Sequence, residues 1–144
     1  MISLRNKKFP ATRSRIILYY WMPVVLYCLL IFVQSGFPAL IPLPANLPRG
    51  DKILHFTAYG LLGMLFFRAF RASCKKKSIC FLLFLSIISS AFYGALDEFR
   101  QSFITWRTAD AGDFLADMAG SAAGAVLYSF FPVRENLQEN KIAD

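Results

Sequence analysis

The chain has 144 residues, of which 56% are hydrophobic and 17% charged, with a mean hydropathy of +0.46. A soluble domain carries about 25% charged residues, and here the charges fall into clusters between long uncharged runs, which excludes an ordinary soluble core and points to a single membrane domain over residues 1–144. The net charge of +7 does not indicate nucleic acid, because the basic residues flank apolar runs, where they act as topology signals facing anionic lipid headgroups.

Residues 1–15 are polar and contain Arg5, Lys7, Lys8, Arg13 and Arg15. The first predicted span covers about 16–35, and its uncharged run Ile16–Val33 is long enough as helix to cross about 27 Å of hydrocarbon. That run is too long for the apolar region of a cleaved signal peptide, and proline-rich sequence follows where a small-x-small cleavage site belongs, so a retained helix is expected. Pro23 is expected to kink it. Tyr19-Tyr20-Trp21 has the look of an interfacial aromatic belt.

A connector from Phe37 to Lys52 carries Pro38, Pro42, Pro44 and Pro48, which block regular helix and favour a stiff extended path. Its Leu40, Ile41, Leu43 and Leu47 suit a course along the membrane surface. The second span, about 52–70, contains His55, Thr57 and Tyr59 and closes with Arg68, Arg71 and Lys75–Lys77. The third, about 78–101, is uncharged to Leu96 and ends in Asp97-Glu98-Phe99-Arg100-Gln101. The fourth, about 112–133, opens with Asp113 and Asp117 and ends at Pro132, leaving a short polar tail. The expected architecture is an all-α integral membrane four-helix bundle. Twelve basic residues fall on the side of the two termini and four (Arg49, Lys52, Arg100, Arg107) on the other, which predicts that both termini are cytoplasmic.

Six of the nine acids, Asp51, Asp97, Glu98, Asp110, Asp113 and Asp117, then gather at the outer ends of spans two to four, with the lone histidine, His55, and with Gln34, Gln101 and Arg107. Asp51, His55, Tyr59 and Gly63 recur at i+4 and share one stripe of the second helix, Asp97 and Gln101 are i, i+4 on the third with Glu98 adjacent, and Asp113, Asp117, Gly120 and Gly124 share one stripe of the fourth. Four helical residues advance about 6 Å, which sets His55 and Asp117 roughly one turn below the surface. Ionisable groups at that depth need a partner or a wet cavity. The economical arrangement turns these stripes inward around a polar pocket open to the outside, with Gly120-x-x-x-Gly124 packing closely against a neighbour.

Blander readings stand beside this one. Asp113 suits a helix N-cap, and Asp97, Glu98, Arg100 and Arg107 suit a solvated salt-bridge cluster. One histidine among scattered acids is a weak metal signal, so no metal and no cofactor are assigned. Cys28, Cys74 and Cys80 lack metal-type spacing and read as small apolar filler.

The polar blocks resemble the VanZ-like family. The resemblance is carried by Asp51-Lys52-Ile53-Leu54-His55-Phe56 with Tyr59 and Gly63, by Tyr93-Gly94-x-x-Asp97-Glu98-x-x-Gln101-x-Phe103, by Arg107-x-x-Asp110-x-x-Asp113, and by Ala116-Asp117-x-x-Gly120-x-x-x-Gly124. Many members carry Asn where this chain has Asp117, a departure that bears on ligand charge and metal preference. The resemblance implies a multi-pass protein of the bacterial plasma membrane; the family's namesake lowers susceptibility to teicoplanin-type glycopeptide antibiotics. It also implies that Asp51, Lys52, His55, Tyr59, Glu98, Gln101, Arg107, Asp113 and Asp117 are the ligand-binding residues.

Three functions follow. The first is binding or shielding of an envelope ligand, such as a lipid-linked cell-wall precursor or a glycopeptide, with Arg and Lys suited to phosphate and carboxylates to amines or hydroxyls. The second is an enzyme acting on a lipid-linked substrate, with His55 oriented by Asp51 and partnered by Glu98 as catalytic candidates. The third is a structural accessory subunit whose polar seam fixes helix packing. Membrane lipids are the expected partners; ligand identity and oligomeric state stay open.

Overall fold

A computed structural model describes residues 16–37, 50–74, 76–105 and 110–131. The expectations for the polar N-terminal segment, the proline-rich connector, Arg107 and the C-terminal tail lie outside the described residues.

Four helices form: α1 (Ile17–Ser35), α2 (Gly50–Ser73), α3 (Ile79–Gln101) and α4 (Ala111–Ser129). The all-α bundle expected from the sequence is what forms. α1, α2 and α3 are long and apolar enough to cross a membrane. α4 is not counted with them among the described residues: at 19 residues it is long enough, but two aspartates and several small residues dilute its apolar content. The bundle is inverted relative to a soluble one. Leu26, Leu30, Phe84, Ile88, Phe92 and Leu115 point outward, while Ser86, Ser90, Asp97, Gln101, Asp117 and Ser121 are buried. An apolar exterior of this extent suits lipid, not water.

Local sequence explains the helix ends. Pro23 has no N–H for the Tyr19 carbonyl, and its ring crowds that carbonyl. The chain widens just upstream into a π-turn over Ile17–Trp21, in which the Met22 N–H reaches back to the Ile17 carbonyl. The kink expected at Pro23 is therefore taken up as this turn. Ser78 caps α3, its hydroxyl accepting from the Phe81 N–H. Asp110 caps α4, accepting from the Gly112 N–H at 2.7 Å. Of the two readings of Asp113, helix cap or inward-facing residue, the second holds: it sits in the first turn of α4 and is buried.

Long-range contacts fix the directions. Trp21 donates to Ser73 and Arg71 to the Phe131 carbonyl at one end. Ser35 meets Asp97 and Lys52 meets Asp113 at the other. The acid-rich ends of α2, α3 and α4 therefore share one end of the bundle with the Ser35 end of α1. Arg68, Arg71, Lys76 and Lys77 mark the opposite end, where Arg68 lies 4.8 Å over the Tyr20 ring.

The closest pairing is α2 against α4. A Cβ on Gly120 would strike the Phe56 carbonyl, one on Gly124 the Gly60 carbonyl, and one on Gly63 the Ser121 carbonyl. Backbone meets backbone here, so the two predicted stripes face each other directly. α1 is more loosely attached. Tyr27 donates to the Ala58 carbonyl at 3.2 Å and Tyr93 to the Cys28 carbonyl at 2.5 Å.

Candidate functional site

Tight α2–α4 packing carries the polar halves of both stripes into contact. The His55 Nδ1 lies 2.9 Å from Asp117 Oδ1, and its Nε2 lies 3.8 Å from Asp113 Oδ2. Lys52 donates to Asp110 Oδ2 at 2.5 Å and to Asp113 Oδ1 at 2.9 Å, and sits 3.8 Å from Asp51. Gly112 leaves the path for Lys52 clear, since a Cβ there would come within 2.8 Å of Nζ. From α3, Glu98 Oε2 accepts from the Asp110 N–H at 3.3 Å.

The site is graded by depth. Side-chain exposure falls from 58% at Asp51 and 51% at Asp110 to 14% at His55, 11% at Asp113 and 1% at Asp117. The pocket expected to stand open is thus a polar shaft filled by its own side chains, with an exposed rim and a buried floor. At the floor, Tyr59 Oη, Glu98 Oε1 and Asp117 Oδ2 are buried with no hydrogen-bond partner among the described residues. Gly94 seats this floor: a Cβ there would come within 2.9 Å of Asp117 Oδ2 and 3.1 Å of the Tyr59 ring.

His55 was expected to be oriented by Asp51, one turn away on its own helix. The structure pairs it with Asp117 and Asp113 of α4 instead, because α2 and α4 lie close enough for direct contact. Of the nine residues implied by the resemblance, Asp51, Lys52, His55, Tyr59, Glu98, Asp113 and Asp117 come together. Arg107 lies outside the described residues.

Gln101 belongs to a second cluster, between α1 and α3. Its Nε2 donates to Asp97 Oδ2 at 2.8 Å. Asp97 Oδ1 accepts from Ser35 at 2.7 Å and from Arg100 at 3.1 Å. Arg100 also donates to the Ser35 hydroxyl and to the Phe32 carbonyl at 2.8 Å. Asp97 is satisfied at both oxygens, in contrast with Asp117. Ser35 was missed in the sequence, and Gln34, expected in the polar group, is exposed. Ser121, which donates to Ser90 at 2.7 Å, was missed too; its adjacency to Gly120 on the small-residue face was the available signal.

An apolar groove of about 490 Å³ runs between α1, α2 and α3, lined by Trp21, Val24, Cys28, Phe32, Phe66 and Tyr93. It extends toward the acid-rich end, where Arg100 stacks 4.1 Å from the Phe32 ring centroid.

Asp110, at the rim, titrates below its ordinary 3.8, first because Lys52 hydrogen-bonds its carboxylate and then because the Gly112 N–H does. A depressed folded-state value contributes stability that is complete above about pH 4 and is lost as pH falls through the depressed value. Unfolding of wild type and Asp110→Asn followed from pH 6 to pH 3 is therefore expected to show a gap that closes toward the acid limit.

A model of the VanZ/LLP1 family matches residues 7–132. The chain belongs to this family. An uncharacterized protein of Schizosaccharomyces pombe is 30% identical over 106 residues, covering 74% of this chain. The chain spans 60% of that relative's length. No solved structure matches. VanZ/LLP1 membership and three apolar helices of spanning length together make this a membrane protein.

Proposed function

We propose that this VanZ/LLP1 protein is a binding protein of the bacterial plasma membrane, with both termini cytoplasmic. Its acid-rich end faces outward and holds the polar headgroup of an envelope ligand, such as a lipid-linked cell-wall precursor or a glycopeptide antibiotic. The observation that carries this reading is the floor of the α2–α4 shaft. Unsatisfied buried polar atoms are costly, by about 1–3 kcal/mol each and more for charged groups, and Tyr59, Glu98 and Asp117 each leave one. A ligand bearing amines or hydroxyls would satisfy them. Lys52 and the exposed carboxylates at the rim give a mixed-charge mouth suited to a zwitterionic or phosphate-bearing headgroup. The apolar groove beside α1 falls in the size range of ligand pockets and suits an acyl or prenyl chain.

Native mass spectrometry of gently extracted protein, wild type beside Glu98→Gln, tests this. A discrete lipid-linked adduct on the wild type, absent from the variant, is expected. Bulk phospholipid alone on both chains would overturn the reading.

The His55–Asp117 contact at 2.9 Å favours acid/base catalysis on a lipid-linked substrate as a second reading, with His55 as the proton carrier, Asp117 orienting it and Glu98 across from it. That reading requires all-or-none loss of turnover in His55→Ala and Glu98→Gln while the protein stays folded. Intact activity in both variants would sink it.

A further inference from the structure

We infer that His55, Glu98 and Asp117 form a site for one first-row transition dication of the zinc class. One ligand atom from each residue lies within 4.8 Å of the other two. Zinc–nitrogen and zinc–oxygen bonds of about 2.0–2.2 Å place tetrahedral ligands roughly 3.4 Å apart, so small side-chain rotations bring this set into range. His55, Glu98 and Asp117 come from α2, α3 and α4, so three helices of the bundle converge on the site.

Two observations separate this cluster from an ordinary group of acids. Asp117 is 1% exposed, and its Oδ2 is buried without a partner among the described residues, as is Glu98 Oε1. Both are acceptors, which a donor or a cation would complete, and the neighbouring Tyr59 hydroxyl hydrogen-bonds neither of them. Lys52 does not serve, because its ammonium is engaged by Asp110 and Asp113. The same fact disposes of the neighbouring Asp51–Asp110–Asp113 group, whose cation is Lys52 itself.

Ligand chemistry selects the metal class. An imidazole with two carboxylates suits zinc, manganese or ferrous iron; magnesium and calcium prefer oxygen throughout. His55 also has the support that metal-bound histidines take: with Nδ1 turned to the cation, its Nε2 faces Asp113 Oδ2 at 3.8 Å, and Lys52 fixes Asp113. A dication offsets two carboxylates that otherwise sit near the membrane interface with only a histidine between them. Three protein ligands leave a coordination position open. This inference goes beyond the proposed ligand reading and stands without it, because the metal is measured alone.

The test uses full-length protein in lipid nanodiscs, stripped with chelator and dialysed against Zn²⁺, with bound metal read by mass spectrometry. One zinc per chain is expected. Glu98→Gln and Asp117→Asn are expected to weaken binding by tenfold or more, while Ser35→Ala, in the second cluster, leaves it unchanged. Mn²⁺ loaded into wild-type protein carrying ¹⁵N-histidine supplies a readout that does not depend on any variant folding: its electron spin echo is expected to show coupling to one imidazole nitrogen. Substoichiometric zinc on wild type, unaltered affinity in both carboxylate variants, or manganese without histidine coupling would overturn the site.

Discussion

A Gly124→Ala chain is expected to be less stable than wild type by about 1–3 kcal/mol, the range for forcing a methyl into a packed interface. The added Cβ would fall on the Gly60 carbonyl, which is backbone and has no side-chain rotation to relieve it. Either α4 slides away from α2 or both helices bend. Both responses also pull His55 from Asp117, since the same crossing sets that 2.9 Å contact. Gly120→Ala is expected to behave alike, because its Cβ meets the Phe56 carbonyl. Ala123→Leu, on the exposed face of the same helix, is expected to be neutral. Thermal unfolding in nanodiscs compares all three. A neutral Gly124→Ala would mean that the two helices do not touch as described.

Asp97→Ala is the second substitution with a large expected effect, a loss of about 3 kcal/mol, where the costs of charged hydrogen bonds and of a broken buried ion pair overlap. Asp97 is 5% exposed and gathers Ser35, Arg100 and Gln101 around one carboxylate. Its removal orphans the buried Gln101 amide and frees Arg100. It also removes one of the contacts that hold the Ser35 end of α1 to α3, in the part of the fold with the least other contact. Ser35→Ala is expected to cost about 1 kcal/mol, the value of an ordinary hydrogen bond. Fluorescence of Trp21, which is tied to Ser73 at the other end of α1, reports whether the helix detaches.

Particular residues show how far the sequence alone could be read. The period-four recurrence of Asp51, His55, Tyr59 and Gly63, and the spacing of Asp113, Asp117, Gly120 and Gly124, are visible because a polar residue in an apolar helix is a rare and directional mark. Those stripes located five of the nine candidate residues, Asp51, His55, Tyr59, Asp113 and Asp117. The crossing partner is what periodicity cannot supply: a stripe says which face is buried, not against which helix. For that reason His55 was assigned to Asp51 rather than Asp117. Gln101 and Asp97 were likewise grouped with Glu98 by adjacency, whereas the 100° step between neighbouring helical residues sends Asp97 toward α1 and Glu98 toward α4. Serines carry little sequence signal in membrane helices, so the contributions of Ser35 and Ser121 were not legible.

The two clusters thus divide the work. Around Asp97 every carboxylate oxygen is satisfied, and removing the group should cost stability. Around Asp117 and Glu98 acceptors are left over, and removing the Glu98 charge should cost binding alone.

The most direct measurement is the thermal unfolding of ligand- and metal-stripped Glu98→Gln beside wild type and Asp97→Ala. The account predicts that Glu98→Gln unfolds with wild-type stability or slightly above it, because the substitution removes a half-buried charge whose Oε1 has no partner among the described residues, while Asp97→Ala falls well below. Destabilisation of Glu98→Gln comparable to that of Asp97→Ala would contradict it and show that the α2–α4 shaft is packing rather than a site.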